Sequence, residues 1–325
     1  MRAILLVGGL LALAAPLWGQ APPSPPSPLP DQQTAETLGT SDDAASRLTV
    51  PVSIGGQGPF PFVIDTGSER TVISRELAQT LRLGPGRPAM VHSMTEASRI
   101  PTVVLDELQV GSRRMRDIHA PALAQTNLGA VGMLGVDSLQ SQRVVFDFER
   151  KEMTVTPSRR RDERWDGDTI VITARNRFGR LILVDASVDG QRVYVIVDTG
   201  AQFTIGNDAL RRRLERRGRL GPTVPVGLVS VTGGELRADA AVAQRVQLGG
   251  LTIEHLPVAF ADAHVFRQLR LTNRPAILLG MDALRLFDRV SVDFANRRVR
   301  LLMPESSSAP PPRRFAAAAP GRARR

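Results

Sequence analysis

Apolar residues in this chain come in short runs rather than at helical spacing. Most are Val-, Ile- or Leu-rich stretches of strand length, bounded by Gly, Pro or Asp, which is the pattern of a mostly β protein. "PFVIDTGSERTVIS" is one example: Phe62, Val63 and Ile64 read as a buried strand that runs straight into a carboxylate, Asp65. Upstream of it, the glycines of "GGQG" at 55–58 read as a hairpin turn between two strands. Helical patterning is confined to a few places. "RELAQTLRL" follows Ser74, "DALRRRLERRG" follows Asn207, and each preceding residue is a good N-cap. Gly218 suits the position just past the end of the second helix.

The pattern occurs twice. "PFVIDTGSERTVIS" is echoed by "VYVIVDTGAQFTIGN", and aligning Asp65 with Asp198 sets Ser74 opposite Asn207. Further on, "GMLGVDSLQSQRVVFDFERKEMTV" (132–155) is echoed by "ILLGMDALRLFDRVSVDFANRRVRLL" (277–302). Each has an apolar pair, a glycine, a short helix-like piece and an alternating strand through 146–148 or 292–294. The chain is thus a duplicated β domain. By composition a single Asp-Thr-Gly is expected in only about 0.1 of chains this long. Two copies in matched contexts point to function.

A lone ionised carboxylate at the end of a buried strand is costly. It becomes tolerable where a second carboxylate shares a proton with it, because two carboxyls about 3 Å apart cannot both ionise. Such a pair can take a proton from a water and donate one to a carbonyl. Gly67 and Gly200 would permit a tight turn and close backbone approach. The hydroxyls of Thr66 and Thr199 could lock one loop to the other.

On these residues the chain resembles the retropepsin-like aspartic proteases, in a single-chain form with two fused lobes, over residues 48–303. The residues carrying the resemblance are Asp65-Thr66-Gly67-Ser68, Asp198-Thr199-Gly200-Ala201, Met133-Leu134-Gly135 and Leu278-Leu279-Gly280. The resemblance implies two β-barrel lobes about a pseudo-twofold axis, each with a short helix. It implies a catalytic dyad of Asp65 and Asp198 supported by Thr66, Gly67, Ser68, Thr199, Gly200 and Ala201. It also implies a glycine motif crossing behind each active-site loop in a ψ shape. Ser68 matches a position that hydrogen-bonds the outer carboxylate oxygen; Ala201 cannot, so unequal pKa values are expected. β-Hairpin flaps are expected at 91–101 and 228–239. Met94, Thr95, Thr232, Gly233 and Gly234 are the candidate substrate-binding residues, and the first flap has no glycine at its tip.

The ends and the junction are of another character. Residues 1–21 read as a signal peptide and 22–46 as a disordered Pro-rich spacer. The lobes would span 47–157 and 170–303, with a charged linker at 158–169 and a disordered basic tail at 304–325. The expected location is periplasmic or secreted, with no stable membrane insertion after signal cleavage. Net charge is +10 and Lys151 is the sole lysine. The basicity reads as arginine-rich codon usage, because aromatics at 4 % supply no stacking platform for nucleic acid.

The absence of cysteine removes thiol chemistry and disulfides. His92, His119, His255 and His264 have no metal-ligand spacing and read as scattered surface residues. Asp147/Glu149 and Asp166/Asp168 read as solvated acids. The chain is expected to work as a monomer on polypeptide substrates, without cofactor or metal. Two functions follow: an aspartic endopeptidase, or a catalytically inactive module of the same fold that binds peptides. Both Asp-Thr-Gly copies are intact, which favours the enzyme.

Overall fold

Two runs of alternating β pairing dominate the computed structural model, which describes residues 36–39, 41–42, 47–139, 142–158, 169–177, 180–183 and 185–304. In the first lobe six strands close into a barrel. Leu48–Ile54 pairs with Gln57–Ile64 through the Gly55-Gly56 turn, as "GGQG" predicts. Gly132–Leu134 and Val72–Ser74 follow. Arg113–Leu123 and Ala97–Val110 then return to Leu48–Ile54 and close the ring. Inward-facing Val50, Val52, Phe62, Ile64, Ile73, Leu105 and Leu108 are each at most 1 % exposed and fill its interior.

The second lobe repeats this ring with interruptions. Arg180–Leu183 pairs with Tyr194–Val197, while Ala186–Val188 pairs with both Gln191–Arg192 and Glu235–Leu248. Ala276–Leu279, Ile205–Gly206 and Leu251–Phe260 supply the remaining strands. The architecture is mostly β with two lobes, as the sequence pattern implies.

Both helices start where their caps predict. Ser74 Oγ accepts from the Leu77 amide at 3.0 Å and opens Arg75–Thr80. Asn207 Oδ1 accepts from the Leu210 amide at 2.9 Å and opens Asp208–Arg216. Gly218 has φ +60°, and the amide of Arg219 reaches back to the Leu214 carbonyl, which ends that helix. The first helix is shorter than its pattern suggests, stopping at Thr80 with Arg82 held at φ 51°.

The lobes do not part cleanly at 157/170. A shared sheet runs in the order Glu36–Gly39, Glu152–Pro157, Gln142–Asp147, Arg289–Asp293, Arg298–Leu302, Thr169–Arg177. At its centre the two repeated strands pair antiparallel, Val144 opposite Val292 and Phe146 opposite Val290. Asp147, expected to be solvated, is 8 % exposed here and accepts from Arg289 Nε at 2.6 Å and the Arg150 amide at 2.8 Å. The spacer assigned to 22–46 is also corrected in part. Glu36–Gly39 pairs antiparallel with Glu152–Pro157, from Glu36 opposite Val155 to Gly39 opposite Glu152, and Ser41–Asp42 pairs with Thr49 and Leu48. Leu38 of the strand Glu36–Gly39 packs on the core. The strand's backbone completes an otherwise open sheet edge, which composition does not reveal. Residues 1–35, the linker from 159 to 168 and the tail from 305 lie outside the described residues, as do the Asp166/Asp168 pair.

Candidate active site

In each lobe a strand carries its aspartate to the end of the barrel. Gln57–Ile64 leads into Asp65 and Tyr194–Val197 into Asp198. Behind the first loop, Gly132–Leu134 lies between Gln57–Ile64, to which it is parallel, and Val72–Ser74, to which it is antiparallel. Ala276–Leu279 has the same relation to Tyr194–Val197 and Ile205–Gly206. The Asp65 amide donates to the Leu134 carbonyl at 2.9 Å, and the Asp198 amide to Leu279 at 3.1 Å. The ψ-shaped crossing expected of the glycine motifs is therefore present in both lobes.

The two loops meet. A Cβ added to Gly67 would overlap Asp198 Cγ and both its oxygens, and one added to Gly200 would overlap the Asp65 carboxylate likewise. Only a residue without Cβ allows either backbone to lie so close to the other lobe's carboxylate. Each carboxylate is oriented by its own loop. Asp65 Oδ1 accepts from the amides of Gly67 at 2.8 Å and Ser68 at 3.0 Å. Asp198 Oδ1 accepts from Gly200 at 3.0 Å and Ala201 at 3.2 Å. These donors are main-chain and equivalent in the two lobes.

That corrects the role expected for Ser68. Its hydroxyl donates to the Arg70 carbonyl at 2.8 Å and turns the loop; only its amide reaches Asp65. The expected asymmetry between Ser68 and Ala201 at the dyad is thus not built from the hydroxyl.

Below the aspartates the threonines interlock. Thr66 Oγ1 donates to the Val197 carbonyl at 3.1 Å and accepts from the Thr199 amide at 3.1 Å. Thr199 Oγ1 donates to the Ile64 carbonyl at 2.8 Å and accepts from the Thr66 amide at 3.0 Å. Thr66 is 3 % exposed and Thr199 fully buried, so these amides and carbonyls have no water to turn to.

A second pair of clasps escaped sequence reasoning. The Thr71 amide and hydroxyl both donate to Asp137, at 2.9 and 2.8 Å, and Thr71 Oγ1 accepts from the Gly135 amide at 3.2 Å. Thr204 does the same with Asp282, at 3.0 and 2.8 Å, and with Gly280 at 3.2 Å. Each clasp ties the far side of an active-site loop to its crossing strand. The duplication held the clue: each Thr lies six residues after its Asp-Thr-Gly aspartate, and each Asp two after the glycine of Leu-Gly-x-Asp. Desolvation raises the Asp282 pKa, opposed by the Thr204 and Ala283 hydrogen bonds. In sign, the ionised form of Asp282 lowers stability as pH rises from the unfolded carboxylate value to the raised one.

Both flaps are present. Pro85–His92 and Ala97–Val110 form the first, Val224–Val229 and Glu235–Leu248 the second. Lacking a tip glycine, the first is closed by Ser93, whose amide and hydroxyl both reach the Glu96 carbonyl, at 2.8 and 3.1 Å. The tips touch: Thr232 Oγ1 donates to Ser93 Oγ at 3.1 Å, and Gly234 packs on the Thr95 side chain. Each tip also crosses over. Met94 packs on the second lobe's apolar cluster, with Ile196, Ile205 and Leu278. Val231 packs on the first lobe's, with Val63, Val72 and Met133. Gly233 lies against the Asn127 side chain. Among the described residues no cluster of His, Asp and Glu could hold a metal.

The threonine lock should carry measurable stability. Thr66→Val or Thr199→Val orphans a buried amide and a buried carbonyl, and each is expected to cost about 1–3 kcal/mol in denaturant unfolding. Thr→Ser at either site keeps the hydroxyl and should lose little. Valine variants as stable as the parent would show that the interlock contributes nothing.

Among curated proteins none matches the chain significantly. The aspartyl protease family matches it twice, at residues 50–138 and 184–283, once in each lobe and over more than half of the chain. With a duplicated Asp-Thr-Gly loop, two ψ-shaped crossings and a match in both halves, this chain belongs to the aspartyl protease family.

Proposed function

We propose that the protein is an aspartic endopeptidase in which Asp65 and Asp198 act as one dyad on polypeptide substrates. The observation that carries this reading is the reciprocal packing of Gly67 on the Asp198 carboxylate and of Gly200 on that of Asp65. Both aspartates come from one chain, so the site needs no second copy.

The chemistry balances with one proton on the pair. The ionised carboxylate takes a proton from a water whose oxygen adds to the peptide carbonyl carbon. The protonated carboxyl gives its proton to the carbonyl oxygen, leaving a geminal diol. In collapse, one diol hydroxyl returns a proton to the dyad, the C–N bond breaks, and the leaving nitrogen takes the other proton. The dyad ends with the single proton it began with. The main-chain amides at each Oδ1 hold the carboxylates in place throughout.

Asp65→Asn and Asp198→Asn should each abolish cleavage of an unfolded protein substrate while leaving the chain folded, and pepstatin should inhibit the parent. Wild-type turnover in either variant would exclude the dyad. A parent that binds peptide but never cleaves it would leave only the binding-module reading.

The rate should follow a bell-shaped pH curve whose limbs belong to the pair as a unit. Since the Ser68 hydroxyl is spent on Arg70, Ser68→Ala and Ala201→Ser should both leave those limbs where they are. A limb displaced by either substitution would show a side-chain donor reaching the dyad in the working enzyme.

We also propose that the protein works outside the cytoplasm, on the strength of the short apolar run "AILLVGGLLALAAPLWG" at its start. Terminal sequencing of the purified protein should find a start near Gln20 to Pro22. An intact Met1 in membrane pellets would favour an uncleaved anchor.

A further inference from the structure

Two of the four histidines, far apart in sequence, come together where the first flap lands on the second lobe. His92 ends the outgoing flap strand and His264 opens the helix His264–Gln268. His92 Nδ1 lies 3.0 Å from His264 Nε2, the ring centroids are 5.3 Å apart and the planes differ by 7°. That centroid spacing equals the N···N distance plus the two ring radii. The rings are therefore edge to edge and nearly coplanar, joined by one in-line N–H···N hydrogen bond rather than stacked face to face. A metal between them would need both lone pairs at coordination distance, and the gap is too short for that in line.

The same junction carries the flap's other contacts with the second lobe. The His264 amide donates to the Met94 carbonyl at 2.6 Å, Arg267 Nη2 donates to the Thr95 carbonyl at 3.3 Å, and Met94 sits on the second lobe's apolar cluster. We propose that the His92–His264 hydrogen bond is a proton-operated latch that holds the first flap closed and releases it when both rings are protonated.

The physical argument is a count of donors and acceptors. With both rings neutral, one nitrogen donates and the other accepts. With one proton added to the pair, the bond is charge-assisted and stronger. With two, both facing nitrogens are N–H donors, no acceptor is left, and two like charges face each other across 3.0 Å. Release therefore belongs to the state in which both rings carry a proton.

Several other charged groups stand on the elements packed at the junction. Asp262 and Arg267 pair at 2.6 Å, Glu96 Oε1 accepts from Ser98 Oγ at 2.8 Å, and Glu69 Oε1 accepts from Gln268 Nε2 at 2.9 Å. Arg99 lies opposite Met90 on the flap, and Arg274 donates to the Tyr194 hydroxyl at 3.0 Å. Histidine is the side chain that ordinarily changes charge between pH 5 and 8, so the switch lies in the two rings.

The latch concerns entry to the cleft and is read without turnover, so it stands or falls apart from the peptidase reading. The chain has no cysteine, which makes site-directed spin labelling clean. Labels at Met90→Cys on the flap and Thr272→Cys beyond the second-lobe helix, both exposed positions, would report the flap-to-lobe distance by pulsed electron resonance. The expected result is one short-distance population at pH 8 and a longer one that becomes dominant at pH 5. In His92→Gln or His264→Gln the amide keeps a hydrogen-bonding partner that cannot take a proton, so the short population should persist at both pH values. An unchanged distance in the parent between pH 8 and 5 would overturn the latch. So would glutamine variants that open at pH 5 as the parent does.

Discussion

Everything in this molecule hangs on two backbone loops approaching until each one's glycine lies against the other's carboxylate. Such an approach is unfavourable on its own. It brings two acids together, excludes water from the amides of Thr66 and Thr199, and tolerates no Cβ at Gly67 or Gly200. The threonine interlock offsets the second cost by exchanging hydroxyl and amide bonds across the interface at 2.8–3.1 Å. The first cost is eased by the main-chain amides of Gly67, Ser68, Gly200 and Ala201, which donate to the two carboxylates.

Holding that approach requires support at several depths, and the fold repeats each support in both lobes. Directly behind the loops, the crossing strands accept the aspartate amides at Leu134 and Leu279. At the loops' far ends, Thr71–Asp137 and Thr204–Asp282 fix where each loop turns back. Furthest away, the sheet shared by the lobes pairs Val144 with Val292 and Phe146 with Val290, so the barrels cannot drift apart without breaking a ladder. The asymmetry lies elsewhere, in tips and caps. Ser93 closes one flap where glycines close the other, and Arg82 ends one helix where Gly218 ends its counterpart.

The duplication was legible because its marks are local: a tripeptide after an apolar run, an N-cap before each helix, a glycine after an apolar pair. Flaps could be placed by their offset from the aspartates, and Met94 and Thr232 do sit at the tips. What the sequence hid was partnership over long range. The Glu36–Gly39 strand joins the sheet through backbone bonds that any composition could make. Asp147 looked solvated because Arg289, its partner, is 142 residues away. His92 and His264 looked scattered for the same reason, at a separation of 172. Ser68 misled in the opposite direction: a hydroxyl at a familiar place found a nearer acceptor in the Arg70 carbonyl, two residues on, than the carboxylate it was expected to serve.

Chemistry and access are consequently built from different materials. The two carboxylates are held by main-chain amides of their own loops, above a buried threonine interlock. The flap tips are joined to one another and to the opposite lobe through small hydroxyls, one apolar side chain passed to each opposite lobe, the Met94 and Thr95 carbonyls, and an exposed histidine pair. Contacts of that kind are few beside the ladders of the barrels, so they belong to the lower-stability end of the molecule. The hydrogen bonds that fix the carboxylates are thus distinct from those that join the tips.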